Sequence, residues 1–79
     1  MTNLSILSIR EKSKDYLKDE YKRYLNAISS KFNSQNIEHR RVRYNTIREY
    51  ILSLEILEFN EIERIQFEIS EKLNIYPIN

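Results

Sequence analysis

The chain has 79 residues, of which 41% are hydrophobic and 32% are charged, and its formal net charge is +1. This length suffices for one small core, and the hydrophobic content is too high for a disordered chain. The absence of cysteine excludes disulfides and thiolate metal sites, the single histidine (His39) excludes a multi-histidine site, and the absence of glycine disfavours phosphate-binding loops.

The first predicted helix covers residues 9–32. Its apolar side chains recur at steps of three and four residues and form one stripe. They are Leu17, Tyr21, Tyr24, Leu25, Ile28 and Phe32. Ser8 and Glu11 match a capping box, in which each side chain accepts a hydrogen bond from the other residue's backbone N–H. The polar run 33–36 predicts the turn that follows the helix.

The second predicted helix has two alternative starts. Asn36 could cap a helix that begins at Ile37, whereas Thr46 and Glu49 match a capping box for a shorter helix. We favour the longer form, because the residues between these two starts include no helix breaker.

The longer form places Arg40 and Arg43 on the apolar side of the second helix. Arginine at a core position is costly unless it is paired or exposed, so we expect the first two turns to extend beyond the core. Tyr50 and Leu57 lie at the margin of the predicted core face. The residues on that face are Tyr44, Ile47, Ile51 and Leu54.

The third predicted helix has the clearest amphipathic pattern. One face carries Ile62, Ile65, Ile69 and Leu73. Asn60 is the predicted cap and Glu63 completes its capping box, while Asn74 and Pro77 mark the end of the helix. The connection around residues 58–60 is short, which predicts that the second and third helices form an antiparallel hairpin.

These patterns predict an all-α fold, a three-helix bundle in one domain over residues 1–79. The bundle consists of a long helix followed by an antiparallel helical hairpin. The helices are unequal, at about 24, 20 and 15 residues, so the third cannot cover the whole stripe of the first. Tyr16, Ile56 and Phe67 also lie off the main stripes. This surplus apolar surface predicts a homodimer or a groove for another protein.

Charge is unevenly distributed along the chain. Residues 1–48 hold eleven Lys/Arg and five Asp/Glu, a net +6, whereas residues 49–79 hold two Lys/Arg and seven Glu, a net −5. The basic residues are concentrated in a segment that contains Arg40, Arg41, Arg43 and Arg48. Three readings of this segment are open: a solvated face that neutralises the acidic end of the chain, a surface for a protein partner, or a nucleic-acid surface.

The nucleic-acid reading assigns the four arginines to phosphate contacts, because a planar guanidinium donates two parallel hydrogen bonds. Lys18, Lys22 and Arg23 would extend the surface, and Tyr21, Tyr24 and Tyr44 would stack on bases. The third helix argues against a helix-turn-helix mode, because glutamates outnumber its cations.

Enzymatic function has little support in the sequence. The glutamates of the third helix lack a neighbouring histidine or an apolar pocket to shift their pKa values. We therefore predict a non-enzymatic regulatory or adaptor protein that binds a protein partner or a second copy, with nucleic-acid binding as the alternative. The predicted binding residues are Arg40, Arg41, Arg43, Arg48, Tyr16, Ile56 and Phe67.

No apolar run approaches the roughly 20 residues that span a bilayer, and Met1–Leu4 lacks the basic start of a signal peptide. We therefore expect a soluble, intracellular (cytoplasmic) protein that needs no cofactor, metal, membrane or small-molecule substrate.

Overall fold

A computed structural model describes the backbone of residues 2–30 and 34–77 and the side chains of residues 7–30 and 35–77. Within these ranges the regular structure is α1 (Thr2–Ser29), α2 (Ser34–Ser53) and α3 (Phe59–Leu73), with no strand. The long helix α1 packs against both of the others. The all-α, three-helix prediction is therefore confirmed, while the antiparallel hairpin of α2 and α3 stays a prediction.

Helix α1 begins earlier than the capping signal indicates. Ser8 is a helical residue of α1, so its match to a capping box is a false signal. The helix ends at Ser29, and Phe32 and Asn33, which the sequence assigns to the stripe and the turn, lie outside the described residues. Local capping chemistry permits a helix start at Ser8 but does not enforce one, because the preceding residues include no proline or glycine.

The longer form of the second helix is confirmed, although it starts before Asn36, at Ser34. Thr46 is an interior residue whose hydroxyl donates to the carbonyl oxygen of Val42, at 2.8 Å. Because the Thr46 hydroxyl is bonded to the preceding turn, it does not cap a helix that starts at this residue. The first turns also reach the core, because Ile37 packs against it.

The core lies along the apolar stripe of α1 and is confirmed for most predicted positions. Its buried members are Leu17, Tyr21, Tyr24, Leu25, Tyr44, Ile51, Leu57, Ile62, Ile65 and Ile69. Leu73, Ile28 and Ile47 are partly buried against it. Leu54 was predicted to face the core and is instead 51% exposed, whereas Leu57, predicted at the margin, is only 2% exposed.

The buried tyrosines join the three helices through their rings and hydroxyls. The rings of Tyr21 and Tyr44 have centroids 4.8 Å apart. Tyr21 Oη is 3.1 Å from Ser70 Oγ, and Tyr44 donates its hydroxyl hydrogen to Gln66 Oε1 at 3.0 Å. Burial raises the pKa of Tyr44 far above its usual value, so the hydroxyl remains protonated and keeps donating.

Two left-handed residues end α2 and α3 in a chain that has no glycine. Glu55 has φ 57° and Asn74 has φ 56°. After each helix, two backbone N–H groups turn back onto its last carbonyls, including Ile56 N to Ile51 O at 3.2 Å and Ile75 N to Ser70 O at 3.1 Å. This is the Schellman pattern, which the sequence predicts at Asn74 but not at Glu55. The chain turns at Glu55, and Leu57, rather than Leu54, lies in the core.

The N-cap of α3 lies two residues before the predicted position. Glu58 is the N-cap, and its backbone N–H donates to Glu61 Oε2 at 2.8 Å. Arg10 of α1 pairs with the other carboxylate oxygen of Glu61 and donates to Ile56 O, the latter at 2.8 Å. The Asn60–Glu63 capping box is therefore wrong. The observed cap pairs Glu58 with Glu61, and Arg10, a residue distant in sequence, adds a further contact to Glu61.

We expect Leu57→Ala to lower the free energy of unfolding by about 2–5 kcal/mol, because it removes a fully buried side chain. Leu54→Ala should lower it by clearly less, because that side chain is half in water. Urea unfolding followed by circular dichroism measures both. If the alanine variant at 57 is unfolded in buffer, Leu57→Met should fold with a small loss, of about 1.5 kcal/mol at most. Equal losses at 54 and 57 would contradict the turn at Glu55.

The capping arrangement also predicts a dependence on pH. Hydrogen bonding from the Glu58 N–H, aided by Arg10, lowers the pKa of Glu61. Because the pKa is lower in the folded chain, the Glu61 carboxylate stabilises the fold above its unfolded pKa of about 4.3, and this stabilisation is lost as pH falls through the folded value.

Glu61→Gln should therefore lower the melting temperature at neutral pH, and its difference from the parent chain should shrink as the pH falls below about 4.3. Glu63→Gln is the matched control on the same helix and should have a smaller effect. A larger loss from Glu63→Gln would restore the Asn60 capping box. Thermal unfolding between neutral and acidic pH decides between them.

Candidate protein-binding groove

The basic segment of α2 does not form one continuous patch, because its arginines divide between two sides of the helix. Arg41 and Arg48 are seven residues apart and therefore share a face. Arg40 and Arg43 share the neighbouring face with Ile47 by the same helical spacing. Arg48 of the first pair contacts Gln66 and Phe59 of α3, and Arg43 of the second contacts Glu20 and Tyr16 of α1.

Arg48 is held between α2 and α3. Its Nε donates to Gln66 Oε1 at 3.2 Å, and its guanidinium carbon lies 5.1 Å from the centre of the Phe59 ring. Nη1 also lies 3.4 Å from the carboxylate of Glu49. These contacts satisfy much of the guanidinium within the molecule, so Arg48 stabilises the α2–α3 contact.

Arg41 pairs with a carboxylate of its own helix. Its Nε donates to Glu38 Oε1 at 3.1 Å, and the second guanidinium nitrogen binds the other oxygen of the same group. Hydrogen bonding from Arg41 lowers the pKa of Glu38. Both side chains are largely exposed, so this pair contributes little to stability.

Arg43 connects α2 to the outer side of α1. Its Nε lies 3.0 Å from Glu20 Oε1, and a second nitrogen lies 3.4 Å from Tyr16 Oη. Hydrogen bonding to Glu20 raises the pKa of Arg43 above its usual value. The Glu20 side chain is 6% exposed and that of Arg43 is 48% exposed. Arg43 therefore neutralises a buried carboxylate while presenting part of its own surface to solvent.

Arg40 is half-buried and makes no hydrogen bond or ion pair with the described residues, and His39 beside it is exposed. The tyrosines proposed for base stacking, Tyr21, Tyr24 and Tyr44, are all buried in the core, so that part of the nucleic-acid reading is wrong. Lys18 was proposed to extend the arginine surface. It instead lines a polar depression between α1 and α3.

An apolar groove runs between α1 and α2, and we call it the α1/α2 groove. It has a volume of about 390 Å³. Its lining residues are Ser13 and Tyr16 of α1, Thr46, Ile47, Tyr50 and Ile51 of α2, and Ile56 of the connection. The hydroxyls of serine, threonine and tyrosine are the only polar side-chain groups of this lining. The groove is therefore concave and mostly apolar, as surfaces that recognise hydrophobic ligands are.

The groove continues toward the start of α1. Ile56 also lines a neighbouring depression of about 250 Å³, together with Ile9, Arg10, Leu54 and Glu55. Around the combined groove Tyr50 is 65% exposed, Leu54 and Ile9 are each 51% exposed, and Tyr16 is 47% exposed. Large apolar side chains therefore stand around two adjoining depressions that share Ile56, which is unlike the isolated exposed residues of an ordinary surface.

The structure brings together some of the predicted binding residues and separates the others. Tyr16 and Ile56 line the same groove, with Arg43 next to Tyr16. Ile56 was expected to be exposed and is instead half-buried against the core, where it forms part of the floor. Phe67 is 63% exposed on α3 and lines a different, shallow depression with Tyr76.

Sequence reasoning missed Ile9, Ser13, Tyr50 and Leu54 as groove residues. A usable signal is present, because Ile9, Ser13 and Tyr16 on α1 follow steps of four and three residues. Ile47, Tyr50 and Leu54 on α2 follow steps of three and four. Each series is a second helical stripe beside the core stripe, and two adjacent stripes on packed helices form a groove.

Within the described ranges, no three His, Asp or Glu side chains are placed to hold a metal ion. None of the described helices is both long and apolar enough to cross a membrane. Comparison with protein-family models, with curated proteins and with solved structures gave no match for this chain.

Arg43 and Arg41 offer a matched pair for testing the electrostatics next to the groove. We expect Arg43→Ala to lower the melting temperature more than Arg41→Ala, because Glu20 would be left buried without its partner whereas Glu38 is solvated. Thermal unfolding at neutral pH measures the difference. An equal or larger loss from Arg41→Ala would show that Glu20 does not depend on Arg43.

Proposed function

We propose that this chain is a small, non-enzymatic regulatory or adaptor protein that acts by binding protein in the α1/α2 groove. The partner is another protein or a second copy of the chain, which would form a homodimer. The observation that carries the proposal is the apolar lining of the α1/α2 groove, with Tyr16 of α1 and Tyr50 of α2 on its two walls.

The groove has the form that receives a helix. Two packed helices supply its walls, and apolar residues recur along each wall at helical spacing, which suits the apolar face of an amphipathic segment. Covering such side chains yields about 25 cal/mol per Å² of apolar surface removed from water. Tyrosine is also enriched among the residues that dominate binding energy, because its ring buries a large area at low entropic cost.

The lining of the groove supports binding rather than catalysis. Its polar side-chain groups are hydroxyls, and the chain's only imidazole, on His39, is not among the lining residues. A hydroxyl requires a neighbouring base to become a nucleophile. The charged residues next to the groove, Arg43 and Glu20, neutralise each other.

Nucleic-acid binding is the alternative and has weaker support. Arg41, Arg43 and Arg48 have partners within the molecule, and they divide between two sides of α2. Phosphate binding would have to compete with these pairs. Arg40, with His39 beside it, is the part of the basic segment that best fits a charged external partner.

Photocrosslinking tests the proposed function in the native cells of the protein. A photoreactive phenylalanine analogue in place of Tyr50 should form protein adducts at several times the yield of the same analogue in place of Phe67. The two side chains have nearly equal exposure, at 65% and 63%, so the comparison separates the groove from mere accessibility.

Thr46→Glu, added to the position-50 chain, should abolish these adducts. Thr46 is an exposed residue of the groove wall, so the substitution places a charge in the groove without removing core volume. Similar yields from positions 50 and 67, or adducts that persist with Thr46→Glu, would refute the proposed function. Adducts with nucleic acid instead of protein would favour the alternative.

A further inference from the structure

We propose that the occupant of the α1/α2 groove is helix α2 of a second copy, packed antiparallel about a two-fold axis near Ile47. This inference rests on the proposed function and specifies its partner. In such a dimer each α2 lies in the groove of the other copy, and the four helices α1 and α2 of both copies form one bundle.

The groove and side chains that could fill it lie on the same face of the same molecule. Tyr50 and Leu54 project from the groove margin and are largely exposed. A two-fold axis turns these projections of each copy toward the groove of the other. Self-complementarity of one patch is the requirement for an isologous interface.

The spacing along α2 supports the same pairing, with Leu54 placed directly after the last helical residue, Ser53. Arg40, Arg43, Ile47, Tyr50 and Leu54 follow steps of three, four, three and four residues. This is the spacing of a seam along which two helices pack side by side. Ile47 is its midpoint, so an antiparallel pair places Ile47 against Ile47 of the partner, and each end of the seam against the opposite end.

The distribution of charge along the seam favours antiparallel packing. The seam begins with Arg40 and Arg43, and Glu55 directly follows its last residue, Leu54. More broadly, residues 38–48 hold four arginines and one glutamate, whereas residues 49–58 hold three glutamates and no lysine or arginine. Antiparallel packing places the basic half of each α2 against the acidic end of the other, while parallel packing places like charges together.

In this register Arg40 of each copy lies near Glu55 of the partner, and Arg43 lies near the ring of Tyr50 of the partner. Arg40 has no partner among the described residues of its own chain, and half of the Arg43 side chain is exposed beside the groove. Arg40 therefore has no internal pair to break, whereas Arg43 keeps its pair with Glu20 and offers the exposed part of its guanidinium; the symmetry makes each contact twice.

Sedimentation equilibrium of the purified full chain tests the pairing. The parent chain should form dimers, Tyr50→Glu should be monomeric, and Phe67→Glu, an equally exposed aromatic on α3, should dimerise like the parent. Circular dichroism establishes that each variant is folded. A chain that is monomeric at every concentration, or a dimer lost with Phe67→Glu and kept with Tyr50→Glu, overturns the inference.

Charge exchange tests the register. Arg40→Glu and Glu55→Arg should each raise the dimer dissociation constant about tenfold, because each replaces two attractive contacts by two repulsive ones. The double variant, Arg40→Glu with Glu55→Arg, should recover the parent value. Recovery also shows that the single variants fail at the interface and not in folding. A double variant as weak as the singles overturns the antiparallel register.

Disulfide crosslinking tests the position of the two-fold axis, because the chain has no cysteine of its own. Thr46→Cys, next to Ile47, should oxidise to a covalent dimer in high yield, whereas Phe67→Cys should not. The reverse result overturns the inference. A monomeric chain whose position-50 analogue still crosslinks to a different protein would refute self-pairing and leave the proposed function intact, while a monomer without such adducts refutes both.

Discussion

Burial of the apolar stripe of α1 is the constraint on which the rest of the structure depends. Leu17 and Leu25 are fully buried, and the two shorter helices pack on either side of this stripe. At 28 residues α1 is longer than either α2, at 20, or α3, at 15. A single long helix cannot be enclosed by two short ones, because a helix needs neighbours around its whole apolar arc. The open α1/α2 groove is the consequence of that mismatch.

Apart from packing on α1, a small set of contacts between α2 and α3 fixes the arrangement of the helices. Gln66 accepts hydrogen bonds from Tyr44 and from Arg48, and Phe59 lies under the Arg48 guanidinium. These are polar and cation–π contacts at the edge of the core, not an extended apolar seam. Arg10 adds a second link, because it binds both the connection after α2 and the first turn of α3. The short helices are thus positioned by α1, and a few directional contacts set their angle.

Features that depend on apolar periodicity were predicted correctly from the sequence. Features that depend on a contact with a distant residue or on a backbone turn were not. Ile62, Ile65 and Ile69 were correctly assigned to the core, because their spacing alone defines the buried face. Leu54 continues the apolar spacing of α2, but the helix ends at Ser53 and Glu55 turns the chain, so Leu54 is left outside. A glutamate in a left-handed conformation gives no local signal, since glycine or asparagine usually marks such a turn.

The site was harder to predict than the fold for a related reason. The four arginines look like one patch in sequence, but helical geometry assigns them to two faces, and only long-range partners reveal how each is used. Glu20 and Gln66 lie 23 and 18 residues from Arg43 and Arg48, beyond the reach of any local pattern. Tyr16 was predicted to be surplus apolar surface. Its place in a groove could be assigned only from the structure, in which Tyr50 lines the same groove.

A chain of this size gains more from a covered groove than a large protein would. Small domains bury a modest fraction of their surface, so each exposed apolar side chain removes a larger share of a narrow stability margin. In the proposed complex, filling the groove would join the partner's apolar residues to Ile47, Ile51 and Ile56, which already contact the core. Binding and folding then draw on the same contacts, and occupancy of the groove should stabilise the fold as well as form the complex. The groove left by three unequal helices is thus the feature through which sequence, stability and binding are connected.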